Sequence, residues 1–299
     1  MIVYDQPVWR PPSEGSNLII QATLGCSFNA CTFCSMYKIK DYQARPLDAV
    51  FADIDAAARD WPDATRVFLA DGDALVLDAD HLEKILDTLI AAFPDLQRVT
   101  CYATPQNLTK KTAEELKRLR EKRLTMVYLG IESGSDSMLK RIRKGTAKLM
   151  ERGMAAAHTA GIKVSATVIL GLGGQAHWRE HIEGTADLIN RQPPKFLSTL
   201  QLALEGGQEA PFREAFDRVD AETGGAGFEW QSDDGVLDEL EYLLDLLDPP
   251  KPVVFRSNHA SNALPLAGNL PRDREALLAQ IRAAKSGRFG LRPAYLRGL

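Results

Sequence analysis

Residues 18–34 read LIIQATLGCSFNACTFC. The apolar run at 18–24 has the pattern of a strand. It leads directly into Cys26, Cys31 and Cys34, spaced C-x4-C-x2-C. Three thiolates in one short loop suit a soft metal, iron or zinc, and leave a fourth coordination position with no protein ligand nearby. An open position of that kind is where a metal centre does chemistry. The aromatic Phe33 stands directly before the third cysteine, and Met36, Tyr37 and Lys38 follow it.

Outward from this loop, short apolar runs alternate with longer amphipathic stretches. Further strands are expected at 67–70, 99–102, 126–131, 164–170 and 196–204, and helices at 47–61, 81–93, 112–121, 147–160 and 175–190. In the helix at 81–93, Leu82, Ile85, Leu86, Leu89 and Ile90 share one face. Gly161 ends the helix before it. Six strand-then-helix repeats imply an α/β fold with a parallel sheet and right-handed crossovers. In such folds active sites gather at the C-terminal ends of the strands. Residues with chemical character fall there: Cys26, Asp71-Gly72-Asp73, Thr104, Glu132 and Gly171 follow the first five strands in turn. Beyond residue 205 the pattern is less regular. A helix is expected at 233–247, stopped by Pro249-Pro250, with a short strand at 253–255 and a helix at 272–285. No Gly/Ser-rich or Pro-rich linker is present. The expected organisation is a core at 1–204 and an extension at 205–299 that packs on it as one structural unit.

The cysteine loop resembles that of the radical S-adenosylmethionine (SAM) superfamily, whose usual spacing, C-x3-C-x2-C, is one residue shorter between the first two cysteines. The resemblance implies a partial (β/α)6 TIM-like barrel with a C-terminal extension. It also implies a [4Fe-4S] cluster on Cys26, Cys31 and Cys34, SAM on the fourth iron, and Phe33 beside that site. Asp71, Gly72 and Asp73 occupy the place of the family's GGE motif, where backbone carbonyls and a carboxylate accept from the SAM ammonium. Read alone, Asp-Gly-Asp is a turn. Residues 130–135, GIESGS, resemble the G-x-E-S-G-S segment of branches that include the methylthiotransferases and coproporphyrinogen-oxidase-like enzymes. By that likeness Glu132, with Ser133, contacts SAM, and Arg143 or Lys144 pairs with the SAM carboxylate. The residues alone make Glu132 a helix N-terminal charge, Ser135 an N-cap, and Arg141, Arg143 and Lys144 a solvated face. Residues 168–174, VILGLGG, are similar to the family's GLPG(E) stretch, with Gly173 where Pro is common and Gln175 where Glu is. Ile169 and Leu170 are then the adenine contacts. A phosphate loop would need Gly-Lys-Ser/Thr, which is missing.

The activity implied by the resemblance is reductive cleavage of SAM to methionine and a 5′-deoxyadenosyl radical, which takes a hydrogen atom from the substrate. The protein orients the reactants and excludes solvent. An external one-electron reductant of flavodoxin or ferredoxin type is required. Residues 255–266, FRSNHASNALPL, concentrate polar groups after a short strand. Arg256 suits a carboxylate or phosphate and His259 an acid/base role. Arg256, Asn258 and His259 are therefore the candidate substrate site. The plainer reading is a loop whose Asn and Ser side chains satisfy backbone groups.

Composition narrows the classes. The chain has 299 residues, 45% hydrophobic and 25% charged, enough for a large core. No apolar run reaches the ~18 residues of a membrane span, and the N-terminus lacks a signal-peptide pattern. Of four cysteines, three are clustered and Cys101 lies inside a strand as a core residue, which is no disulfide framework. The expected location is the reducing cytoplasm. A net charge of −4 and a pI near 5.8 give no attraction for nucleic acid. The basic run at 117–123, KRLREKR, lacks aromatics and reads as a solvated helix end. A small-molecule substrate is thus preferred, with RNA modification as the alternative. Readings of another class are a structural zinc site, which usually uses paired C-x2-C units, and an electron-carrying iron–sulfur protein, which needs a fourth thiolate. Neither accounts for the strand-end motifs.

Overall fold

Continuous apolar strands are what a buried parallel sheet requires. The computed structural model, which describes residues 2–298, contains a sheet of such strands. In chain order the elements are β1 (Leu18–Gln21), β2 (Thr23–Leu24), β3 (Gln43–Ala44), α1 (Leu47–Asp60), β4 (Arg66–Ala70), α2 (Ala79–Ala92), β5 (Arg98–Ala103), α3 (Pro105–Lys110), α4 (Ala113–Glu121) and β6 (Leu124–Glu132). They continue with α5 (Asp136–Arg141), α6 (Ala147–Thr159), β7 (Lys163–Leu170), α7 (Gly174–Arg191), β8 (Phe196–Gln201), α8 (Glu209–Thr223), α9 (Asp233–Leu246), β9 (Val253–Ser257), β10 (Leu266–Leu270) and α10 (Arg274–Lys285). Eight strands form a mostly parallel sheet in the order β1-β4-β5-β6-β7-β8-β9-β10, and it is not closed. The chain divides into two compact units. One comprises Met1–Asn29, Met36–Leu129 and Arg152–Val164; the other comprises Ala30–Ser35, Gly130–Glu151 and Ser165–Leu299.

In the first unit β1, β4, β5 and β6 pair in parallel, with Ile20 opposite Leu69, Leu69 opposite Cys101, and Cys101 opposite Val127. All four side chains are fully buried. Cys101 is a core residue, as expected, and burial pushes its thiol up to about 12. The first strand is shorter than the apolar run suggests. After Gln21 the chain turns away, and Thr23–Leu24 pairs antiparallel with Gln43–Ala44. On α2, Leu82, Ile85, Leu86 and Leu89 are buried, but Ile90 is 38% exposed. Eight residues past Leu82, it lies roughly 80° around the helix, at the edge of the apolar stripe. Helix α4 opens on a capping box, Thr112 with Glu115. Two residues of its basic run pair with α2, Arg118 with Glu83 at 2.7 Å and Lys122 with Asp87 at 2.5 Å, and Arg120 donates to the Gly161 carbonyl at 2.9 Å.

In the second unit β8 pairs in parallel with β7 and β9, and β10 runs antiparallel to β9. The sixth expected strand ends at Gln201 rather than 204. The expected strand at 253–255 extends to Ser257, so Arg256 lies on β9, paired between Ser198 and Ala267, and not in a loop after it. Helix α8 and strand β10 were not foreseen. The apolar side of α8 closes on Phe228, with ring centroids 4.8 Å from Phe212 and 5.2 Å from Phe216. Arg141 is not on a solvated face. It is 2% exposed and donates through Nε to Asp220 at 2.8 Å, tying α5 to α8. Removing one partner from such a buried pair costs about 3–5 kcal/mol. Among the described residues no helix is long and apolar enough to cross a membrane.

Candidate functional site

At the end of β4, Asp71 is fully buried. Its Oδ2 accepts from Lys40 Nζ at 3.1 Å and from Gln21 Nε2 and the Gly25 N–H, both at 3.3 Å. Its Oδ1 is buried with no hydrogen-bond partner among the described residues. Burial raises the carboxyl's pKa, against the opposing effect of Lys40. Gly72 has no room for a side chain: a Cβ there would come 2.5 Å from Tyr37 Cε2 and 2.9 Å from Cys26 Cβ. The backbone of the Asp-Gly-Asp turn therefore lies directly against the first cysteine, an approach only glycine permits. Asp73, also buried, accepts from Ser27 Oγ and from Asn107 Nδ2, whose residue is N3 of the short helix capped by Thr104.

In the second unit, β6 ends on Glu132, whose φ of +57° is in the left-handed region that L side chains seldom occupy. Its Oε1 accepts from Lys144 Nζ at 2.8 Å, and Lys144 also lies over the Phe33 ring, 5.5 Å from the centroid. Burial works to lower the Lys144 pKa. The Glu132 carboxylate and the Cys31 and Cys34 sulfurs outweigh it and hold the ammonium above the ordinary lysine range. Arg143, one residue earlier, is exposed with φ +56°. Thr32 N donates to Ile142 O at 3.3 Å, which fixes the 31–34 segment beside this pair.

The segment after Glu132 is packed backbone to backbone. A Cβ on Gly134 would come 2.5 Å from Gly184 C and 2.8 Å from Thr185 Cα, and Gly134 N donates to Thr185 Oγ1 at 3.0 Å. Ser135 is the N-cap of α5, accepting from Met138 N. His181 of α7, completely buried, joins two strand ends. Its Nε2 lies 2.9 Å from the Ile169 carbonyl, which can only accept, so Nε2 donates and Nδ1 accepts from Ser133 Oγ, also at 2.9 Å. Burial lowers its pKa to about 4, which keeps it neutral. Ile169 and Leu170 are themselves 7% and 1% exposed.

The residues expected around a substrate are dispersed in their roles. Arg256 donates to the carbonyls of Phe255 at 2.8 Å and Gly268 at 3.4 Å and forms no ion pair among the described residues. Asn258 is exposed. His259 Nδ1 accepts from Ser261 N at 3.2 Å, and burial, then Arg292, lowers its pKa. Asn262 is structural: it donates to Thr199 O and Ser257 Oγ and accepts from Gln201 N at 2.7 Å. Lys40, Asn107 and His181 were not anticipated. Each is an ordinary residue type at an ordinary place in its segment, and only its neighbours in space mark it.

Cys26, Cys31 and Cys34 form no disulfide among the described residues, Cys31 buried and the other two half-buried. As they stand, no three His, Cys, Asp or Glu side chains among the described residues form a group that could hold a metal ion. The donor set nevertheless suits an iron–sulfur cluster. The unpartnered Asp71 Oδ1 and the glycine-lined approach at Gly72 suit a cationic ligand beside Cys26.

The fold is an open, mostly parallel α/β sheet with Cys26, Cys31 and Cys34 after its first strand. The profile of the Radical SAM superfamily matches residues 20–189, more than half of the chain. The chain belongs to the radical SAM superfamily, whose members are enzymes that use a [4Fe-4S] cluster and SAM. That membership sets aside the structural-zinc and electron-carrier readings. Among solved structures, it is similar to TsrM, a radical SAM methyltransferase from Kitasatospora setae with cobalamin and a [4Fe-4S] cluster bound. They share 16% identity over 91% of this chain and 61% of TsrM, with a TM-score of 0.56. It is also similar to coproporphyrinogen III oxidase (HemN) from Escherichia coli, at 14% identity over 77% of this chain and 51% of that one, TM-score 0.55. The cobalamin-dependent SAM radical enzyme OxsB gives 17% identity over 69% of this chain and 30% of OxsB, TM-score 0.50. The chain spans 30% to 61% of the length of these proteins, and at such identities the likeness is one of fold. No curated protein sequence matches the chain.

Proposed function

We propose that this enzyme cleaves SAM reductively and uses the result to remove a hydrogen atom from a small molecule bearing an acidic group. Cys26, Cys31 and Cys34 hold the cluster, the thiolates gathering around iron as it binds. Asp71, Asp73 and the Gly72 backbone receive the SAM ammonium. Lys144, rather than Arg143, receives the SAM carboxylate. Glu132 and Ser133 contact SAM beside it, and Ile169 and Leu170 border the adenine. When bound, cluster and SAM supply one-electron cleavage of the sulfonium and hydrogen-atom abstraction. The chain's own residues orient both molecules and keep water out. Arg256 meets the substrate's acidic group, with Asn258 and His259 beside it. Residues 205–299 act as an extension of the core at 1–204. A flavodoxin or ferredoxin type of protein in the cytoplasm delivers the electron.

The observation that carries this reading is Lys144, paired with Glu132 of the strand-end motif and set over Phe33 of the cysteine segment. One cation thereby serves two motifs separated by about a hundred residues of sequence. The test is anaerobic reconstitution with iron and sulfide, addition of dithionite and SAM, and chromatography for 5′-deoxyadenosine, with Cys31→Ala as control. Wild type forms 5′-deoxyadenosine and the variant does not. A fully loaded wild-type cluster that never yields 5′-deoxyadenosine, with or without candidate acids, would sink the proposal.

A further inference from the structure

Glu239 of α9 is a carboxylate with no countercharge among the described residues. It is completely buried, and its Oε2 accepts from the Gly171 N–H at 2.7 Å while Oε1 accepts from Gln231 Nε2 at 2.9 Å. The charged groups around α9 are engaged elsewhere: Arg282 and Lys285 of α10 with Glu241, Lys285 also with Asp238, and Arg297 with Asp233. On the α7 side, Glu183 accepts from Tyr242. An apolar side chain would fill that place without the desolvation cost of a buried carboxylate, so what it holds is informative. Gly171 is the first residue after β7, at φ +78°, and begins the turn into α7. The other end of the same turn is held from the same stretch of chain. Gln175 N donates to Glu229 O at 3.0 Å, Gln175 Nε2 donates to Trp230 O at 3.0 Å, and a Cβ on Gly174 would come 2.5 Å from Glu229 O. Residues 229–239 thus bracket the turn that follows Ile169 and Leu170.

We propose that Glu239 is a positioning residue for SAM: from the C-terminal extension it fixes the Gly171 amide, and with it the strand end that borders the adenine. This rests on the reading of Ile169 and Leu170 given above. Burial raises the Glu239 pKa to about 7. The ionised form accepts from both donors, whereas in the protonated form one oxygen donates and the Gln231 amide must turn its Oε1 toward it, disturbing the arrangement that holds the Gly171 amide. SAM affinity therefore rises with pH through that value.

The test uses the full chain reconstituted with iron and sulfide, with SAM as the probe and equilibrium dialysis between pH 6 and 8. Glu239→Ala should weaken SAM binding by about tenfold or more, the loss of a charge-assisted hydrogen bond, with the iron content unchanged. Glu239→Gln should bind like wild type at pH 6 and lose the rise toward pH 8. Hydrogen exchange at Gly171 should quicken in Glu239→Ala before any cofactor is added. SAM affinity profiles of wild type and Glu239→Gln that run parallel across this range would overturn the proposal, even if Glu239→Ala fails to fold. Wild type that carries a full cluster and binds no SAM would instead overturn the site reading on which the proposal rests.

Discussion

His181 and Glu239 make opposite demands on pH, and their separation is a quantitative test of the structure. His181 is neutral in the fold, its pKa lowered from 6.5 to about 4 by burial. Below pH 6.5 the unfolded chain binds a proton there that the folded chain refuses, so stability falls as pH drops toward 4. At about 1.4 kcal/mol per pH unit the loss is about 3 kcal/mol. Glu239 is raised from 4.5 to about 7. Here the folded chain binds the proton more tightly, so its contribution is fully present below pH 4.5 and is lost as pH rises through 7, again by about 3 kcal/mol. Between pH 4.5 and 6.5 the two slopes oppose each other in wild type. Glu239→Gln keeps the shape and removes one slope. Its stability should fall by about 3 kcal/mol more than that of wild type between pH 7 and 4. His181→Gln keeps a donor for the Ile169 carbonyl and should fall by about 3 kcal/mol less. Urea titrations at half-unit pH steps, monitored by far-UV circular dichroism, give both differences. Variant-minus-wild-type stabilities that stay constant across the range would refute the argument, because they would mean that neither group titrates differently in the fold.

Three further outcomes follow from single contacts. Lys144→Met leaves Glu132 without its ion-pair partner and should destabilise the chain by about 1–3 kcal/mol and weaken SAM binding at least about tenfold. Arg143→Ala, at an exposed position, should leave both within about threefold. Calorimetric titration of the reconstituted enzymes with SAM separates the two. Gly134→Ala forces a methyl group into the Gly184–Thr185 backbone and should cost about 2–4 kcal/mol in urea unfolding, whereas Gly290→Ala, with nothing within 4 Å of its Cβ, should be near neutral. Asp220→Asn strips the charge that holds the 2%-exposed Arg141 and should cost about 3–5 kcal/mol by the same measurement.

The strand-end motifs were legible because they are local. A glycine in the turn after a strand, an N-cap serine with its donor N–H three residues on, and a cysteine loop after an apolar strand all leave their signature within a few positions. Ile90 shows where periodicity misleads: it fits the stripe of α2 by spacing, yet lies at the margin where cover runs out. Arg256 shows the same for strand ends. Polar residues read as a loop, but pairing with Ser198 and Ala267 carries β9 on through them. Helix α8 was missed because its buried Phe212 and Phe216 are few among acidic and basic neighbours, and they are satisfied by Phe228 from beyond the helix.

By itself, the sequence determined the mostly parallel α/β architecture, the clustering of three cysteines after the first strand, and the places where the chain bends at strand ends. These follow from periodicity and from the few residue types that tolerate a given backbone conformation. Only the tertiary structure decided that Lys144 and not Arg143 pairs with Glu132, that Arg141 is buried, that His181 bridges Ser133 and Ile169 across 48 and 12 residues, and that Glu239 reaches Gly171 across 68. The reason is physical. Helix and strand periods are set by bonds between near neighbours, whereas the partner of a buried charge is whichever group the packing brings within about 3 Å, and no spacing along the chain encodes that distance.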